Sequence, residues 1–150
     1  MKFFKFIIRY FGFLKAIPLM PHIFDVLMRL HSFCFRREIT DAMDKIQEEL
    51  NKDTNITISI HKYGGIQFNY KNKELGHIHG NGMVDVLLNK KMKSELIAKK
   101  WVQEHHTFKD SGWVTLFLKS DNDIEIAVKV LKMSLSKSKA MDSIVTKPNV

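Results

Sequence analysis

ITISIHKYGGIQFNYKNKELGHIHGNGMVDVLL, residues 56–88, is where the chain changes from a helical period to an alternating one. Ile56, Ile58 and Ile60 alternate with Thr57, Ser59 and His61, the pattern of a half-buried strand. Gly64-Gly65 turns the chain into Ile66, Phe68 and Tyr70, which alternate with Gln67 and Asn69. Lys71-Asn72-Lys73 leads into Glu74–His79, and Gly80-Asn81-Gly82 leads into Met83–Leu88. Four strands joined by short Gly/Asn turns predict an antiparallel meander.

Helical signals flank this stretch. Upstream, Pro21 suits a first helical turn, after which Ile23, Phe24, Leu27, Leu30 and Cys34 recur at helical spacing. Met28 and Cys34 are therefore expected in core stripes. Ile39, Met43, Ile46 and Leu50 predict the next helix, closed by a polar break at Asn51–Asn55. Downstream, Lys90–Lys100 carries Met92, Leu96 and Ile97 on one side, and Trp113–Lys119 reads as a fifth strand. Ser120 and Asp123 resemble a capping pair ahead of a stripe made by Ile124, Ala127, Val128, Leu131 and Leu135. The expected fold is α+β: a four-strand antiparallel meander plus a fifth strand, helices packed on one face, and an N-terminal helical extension. The expected organisation is a basic aromatic amphipathic helix over 1–19, an α+β domain over 20–135 and a flexible polar tail over 136–150.

Charge narrows the function. The net +8 belongs to the ends, because residues 38–133 carry fourteen basic and fourteen acidic side chains. A nucleic-acid-binding core would hold its surplus on the folded face, so no nucleic-acid partner is expected. The single Cys34 excludes a cystine-stapled scaffold and a Cys-rich zinc module. In the head, MKFFKFIIRYFGFLK, a helix would gather Lys2, Lys5 and Arg9 on one edge and leave Phe3, Phe6 and Phe13 on the broad aromatic remainder. The run is too short and too charged to span a bilayer. Two readings stand, an interfacial helix at anionic head groups or a packing element over the domain or a second subunit. Lys2, Phe3, Lys5, Phe6, Arg9 and Phe13 are the membrane-contact candidates on the first reading. The expected location is cytoplasmic with peripheral membrane contact.

Five of the seven histidines lie between residues 61 and 106. His77 and His79 are two apart on a predicted strand, so both side chains share a face, with Leu75 beside them. Asp85 stands on the next strand, across the Gly80–Gly82 turn. His105 and His106 open the loop that runs through Asp110-Ser111-Gly112 to Trp113. Together they suggest a polar pocket for acid–base chemistry, since imidazole exchanges protons near working pH. The plainer alternative is a set of hydrogen-bonded histidines at a solvated sheet edge. A His-x-His pair without a Cys cluster or His-Glu-x-x-His is a sparse metal signal, so a metal site is one option but acid–base use without a metal is the expectation. Ser111, His106 and Asp110 do not read as a triad, because Asp110 and Ser111 sit in a turn. Neither Gly-rich turn opens a helix, which excludes phosphate loops.

The run from Glu74 through His77, His79 and Gly82, then Lys100-Trp101 to His105-His106 and Asp110-Ser111-Gly112-Trp113, resembles the luciferase-domain family. Its fungal members, luciferases of the hispidin pathway, are similar at an acidic residue with His-x-His, here Glu74, His77 and His79. They are similar again at a Trp followed by an Arg-His pair, where this chain has Trp101 and Glu104-His105. Small bacterial members share patterns like Tyr63-Gly64-Gly65 and Asp110–Trp113. The resemblance implies a small oxidoreductase, a monooxygenase that oxidises a hydroxylated pyrone with molecular oxygen and no flavin or nucleotide, with a membrane-associating N-terminus. It departs where Glu104 replaces Arg and His106 replaces Pro.

The resulting expectation is a cofactor-independent oxidoreductase acting on a small enolisable or phenolic ligand. His77 or His79 removes a proton and His105 or His106 stabilises the oxyanion. Glu74, Asp85, Trp101, Asp110, Ser111 and Trp113 are expected to line the substrate. The alternative is a non-catalytic ligand-binding or membrane-peripheral adaptor that retains the fold.

Overall fold

The computed structural model describes residues 19–145. The basic head, with Lys2, Phe3, Lys5, Phe6, Arg9 and Phe13, lies outside that range. The elements run α1 (Met20–Phe35), α2 (Arg37–Asn51), β1 (Ile56–Ile60), β2 (Ile66–Tyr70), β3 (Lys73–Ile78) and β4 (Met83–Leu87). They continue through α3 (Lys90–Ala98), β5 (Gln103–Glu104), β6 (Trp113–Phe117) and α4 (Asp121–Val145). The fold is α+β, with one antiparallel sheet of order β1-β2-β3-β4-β6-β5. Among the described residues, no helix is long and apolar enough to cross a membrane.

The core forms where α2 and α4 meet the sheet. Ile39, Met43, Ile46 and Leu50 are all buried, as their spacing requires, and face Phe68, Ile78, Val84, Val86, Val114 and Leu131 in one cluster. Asn89 caps α3 by accepting a hydrogen bond from the Met92 amide at 2.8 Å. The Ser120–Asp123 pair does the equivalent work before α4, its carboxylate accepting from Ser120 Oγ at 2.8 Å and from the Lys119 amide at 3.1 Å.

Several expectations need correction. Helix α4 does not stop near Leu135 but continues to Val145, with Ser138 buried and Lys71 and Lys73 each 2.6 Å from Asp142. A sixth strand, β5, pairs two residues outside β6, too short to show a period. In β1 only Ile56 is buried. Ile60 is 78% exposed, because the core does not reach the far end of an edge strand.

Helix α1 inverts its expected orientation. Ile23, Leu27, Leu30 and Cys34 are exposed, whereas Asp25 and Ser32 are buried. The reason is hydrogen bonding. Asp25 Oδ1 accepts the Gly80 N–H at 2.8 Å, and Ser32 Oγ donates to the Gly80 carbonyl at 2.8 Å. Close approach is possible only over glycine: a Cβ on Gly64 (φ +87°) would fall 2.4 Å from Asp25 Cβ, and one on Gly80 2.7 Å from the Asp25 carbonyl oxygen. Helix α1 therefore seats its polar face on the two hairpin turns.

Leu75 is also displaced. It was expected beside His77 and His79, but it is fully buried in the hydrophobic core. A register shift in the β2–β3 pairing takes the partner of Phe68 to be Gly76 and that of Asn69 to be Glu74, so Leu75 is the extra, unopposed residue of a bulge.

Candidate functional site

Strand register builds the site. Gln67 opposes His77, His77 opposes Asp85, Asp85 opposes Thr115 and Thr115 opposes Gln103, a single row across five strands. Alternation sends this row to the face opposite Val84, Val86, Val114 and Leu116. The bulge at Leu75 brings Glu74 to the same face, although it stands three residues from His77.

Asp85 is the centre. It is fully buried, and its Oδ1 accepts a short hydrogen bond from Thr115 Oγ1. Its Oδ2 faces three imidazoles: His77 Nε2 at 3.5 Å, His79 Nε2 at 3.6 Å and His105 Nε2 at 3.6 Å. These separations are too long for direct hydrogen bonds, and Oδ2 is left buried without a hydrogen-bond partner among the described residues.

The outer hydrogen bonds fix the tautomers. Glu74 Oε1 lies 2.6 Å from His77 Nδ1; a carboxylate accepts, so Nδ1 carries a proton and Nε2 is the ring atom that faces Asp85. His79 Nε2 is 3.1 Å from His77 Nε2, and its Nδ1 lies 4.0 Å from Asp25 Oδ1. His105 is arranged the other way. Its Nδ1 accepts the backbone N–H groups of Thr107 and Phe108, both at 3.0 Å, so its ring proton sits on Nε2 and points at Asp85. His61 stacks on His77 at 3.8 Å between ring centroids and places its Nε2 3.7 Å from Glu74 Oε1.

The charges follow from these contacts. Burial works to raise the pKa of Asp85, but His105, His77, His79 and Thr115 outweigh it and hold the carboxyl far below its ordinary range. For His77 burial favours the neutral ring, and Asp85 and Glu74 together reverse this and raise its pKa. Burial works to raise the pKa of Glu74, but the hydrogen bond and charge of His77 outweigh it and leave that carboxyl lowered. Burial, aided by His77, takes His61 down to about 4. His106 is lowered by burial and by neighbouring His105.

The expected site residues divide. His77, His79, Asp85, Glu74 and His105 come together, and exposed His106 stacks on His105 at 4.3 Å. Trp113 closes one side, its ring 5.6 Å from that of His77 and 5.9 Å from that of His105. Trp101 belongs elsewhere: it packs against the core, with Lys129 of α4 4.8 Å from its ring. Ser111 serves a turn, its Oγ donating to the Phe108 carbonyl at 2.6 Å and accepting the Trp113 amide at 3.2 Å, while Asp110 is exposed on that turn. His61, Thr115 and Asp25 were missed. Alternation placed His61 with Thr57 and Ser59, and Thr115 between Trp113 and Phe117, so parity held a signal for both. Nothing local marked Asp25, whose partners lie more than fifty residues away.

A buried carboxylate ringed by imidazoles, on a short antiparallel sheet, defines a histidine-centred α+β domain. Residues 72–134, from β3 into α4, match the family model described as Luciferase domain. That segment carries every member of the cluster except Asp25 and His61. No curated protein and no solved structure gives a significant match.

Proposed function

We propose that the Asp85-centred cluster is the reaction centre of an oxidoreductase that activates a small enolisable or phenolic ligand for reaction with dioxygen. The observation that carries this reading is the convergence of three imidazoles on one buried carboxylate oxygen with no hydrogen bond of its own. Histidines that serve only stability satisfy their partners, and a stranded charged oxygen at the sheet centre costs stability. The match to the Luciferase domain supports the reaction class. His77 and His105 are buried, so exposed His106, within 4.8 Å of the Asp85 carboxylate and His105, is the group best disposed to take a ligand proton. Trp113 offers a flat wall for a planar ring. The resulting enolate carbon supplies the electron pair for a new C–O bond, and dioxygen is reduced to the peroxide level in the adduct.

The test is oxygen uptake by the full chain with 4-hydroxy-6-methyl-2-pyrone as probe. Enzyme-dependent uptake that falls at least tenfold in His106→Ala supports the reading. Uptake no faster than that of boiled protein, across a set of hydroxypyrones and phenols, refutes it.

A second reading is favoured by the exposed face of α1, where Ile23, Val26, Leu27 and Leu30 stand beside Arg29. An apolar stripe with an adjacent cation fits the surface of an anionic bilayer and a membrane-peripheral role. Co-sedimentation with phosphatidylserine vesicles, full chain against a chain starting at Met20 and against Leu27→Ser/Leu30→Ser, tests it. Equal pelleting of all three refutes both the head and α1 as membrane contacts.

A further inference from the structure

We propose that His77 Nε2, His79 Nε2 and Asp85 Oδ2 are the three protein ligands of a divalent first-row transition-metal ion. The three atoms form a triangle with sides of 3.1, 3.5 and 3.6 Å. Such a triangle has a circumscribed radius of about 2.0 Å, so a point near its plane lies at the usual metal–imidazole and metal–carboxylate distance from all three corners. Hydrogen bonding does not account for the two longer sides, which are too wide for Asp85 to bond either ring. The gap accepts an ion, and no organic ligand fits inside it.

The surrounding groups are those a metal centre needs. Glu74 takes the Nδ1 proton of His77 and leaves Nε2 free to ligate, the carboxylate–histidine–metal arrangement that orients a ring and raises its basicity. Thr115 ties down the other oxygen of Asp85, turning Oδ2 into the gap. The buried, unpartnered Oδ2 is the independent sign of an occupant: a fully buried carboxylate oxygen without a donor is what a cation would satisfy. His105 is excluded from ligation by its own tautomer, because both backbone donors occupy Nδ1 and its proton lies on Nε2. It is a positioning residue that aims an N–H at Asp85. Two imidazoles and one carboxylate leave coordination positions open, as in reactive rather than structural centres, and His79 is the least buried of the three ligands. The donor set suits iron(II), zinc, manganese or cobalt.

The inference rests on the cluster being the functional centre, but it does not depend on the oxygen chemistry. Its test uses the full untagged chain, stripped with chelator and titrated calorimetrically with Zn²⁺, with Co²⁺ absorption as a second readout. We expect one ion per chain, and a loss of affinity of at least 100-fold in His79→Ala and in Asp85→Asn. Circular dichroism confirms folding, and His79→Ala, with its partly open ring, decides the matter if the Asp85 variant does not fold. His105→Ala is expected to weaken binding about tenfold, in the range of outer-sphere partners. His31→Ala, on the far-exposed α1 surface, leaves it unchanged. No stoichiometric binding, or binding insensitive to His79→Ala, overturns the proposal. So does loss on His106→Ala with His79→Ala neutral, which would move the ion to the Asp85–His105–His106 group. Zinc binding without oxygen uptake leaves the metal site standing and sinks the oxidoreductase reading.

Discussion

Replacing Gly80 with alanine should release α1 while leaving the sheet folded. Gly80 has no left-handed φ, so alanine carries no backbone strain there; its only fault is contact. The new Cβ would sit 2.7 Å from the Asp25 carbonyl oxygen, 2.8 Å from the Arg29 amide and 3.0 Å from Arg29 Cβ, all on α1. Backbone cannot yield as a side-chain tip can, so the helix must withdraw. Withdrawal breaks the two hydrogen bonds that Gly80 makes, one to the Asp25 carboxylate and one from Ser32. A bond to a charged group contributes about 1.5–3 kcal/mol and a neutral one about 1 kcal/mol, so roughly 2–4 kcal/mol of docking is lost. No α1 residue belongs to the hydrophobic core cluster, so little apolar burial opposes the release. At about 1.4 kcal/mol per decade, amide exchange over α1 should accelerate about 30- to 1,000-fold in Gly80→Ala, with β3 and β4 protected as before. Hydrogen-exchange mass spectrometry resolves the two regions. Unchanged protection over residues 20–35, or equal loss across the sheet, refutes the account of α1 as a helix held by its polar face.

Ile46→Ala removes a side chain with no exposed surface in the α2–α4 core, and should cost about 2–5 kcal/mol by chemical denaturation. Leu30→Ser, on the exposed stripe of α1, should stay within about 0.5 kcal/mol of wild type; a core-sized loss would mean that this stripe is packed. Glu49 is held at about 2 by hydrogen bonds from Lys132 and Lys52, below its ordinary 4.5. Its folded pKa is depressed, so its contribution is present above about pH 4.5 and fades as pH falls through about 2. Glu49→Gln should therefore melt slightly lower than wild type at pH 6 and converge with it near pH 2; a deficit of the same size at both pH values rules out the ion pairs as its source.

The meander and the packing of α2 were legible because both depend on short-range period. Ile39, Met43, Ile46 and Leu50 carry enough apolar spacing to fix their own face. Helix α1 was misread for a physical reason. An apolar stripe says that a helix has two faces, and a distant hydrogen bond decides which one meets the protein; Asp25 and Ser32 find Gly80 across 55 and 48 residues. The candidate site was half legible. His77, His79 and Asp85 follow from alternation and one turn, whereas Trp101 was assigned to the site by its place in a motif and in fact packs with α4. The tautomers of His77 and His105 depend on Glu74 and on two loop amides, and no pattern of residue types encodes them.

The bulge at Leu75 limits how far this constellation could be transplanted. On a regular strand, residues three apart look to opposite sides, so a His-x-His pair grafted with an upstream glutamate at the spacing of Glu74 would bring both imidazoles and strand the carboxylate behind the sheet. A scaffold meant to receive the site must carry one surplus residue between glutamate and histidine, with an apolar side chain to bury on the reverse side. The unit of inheritance here is a kinked ribbon with its side chains, and the histidine motif copied alone would arrive without the group that sets its ring.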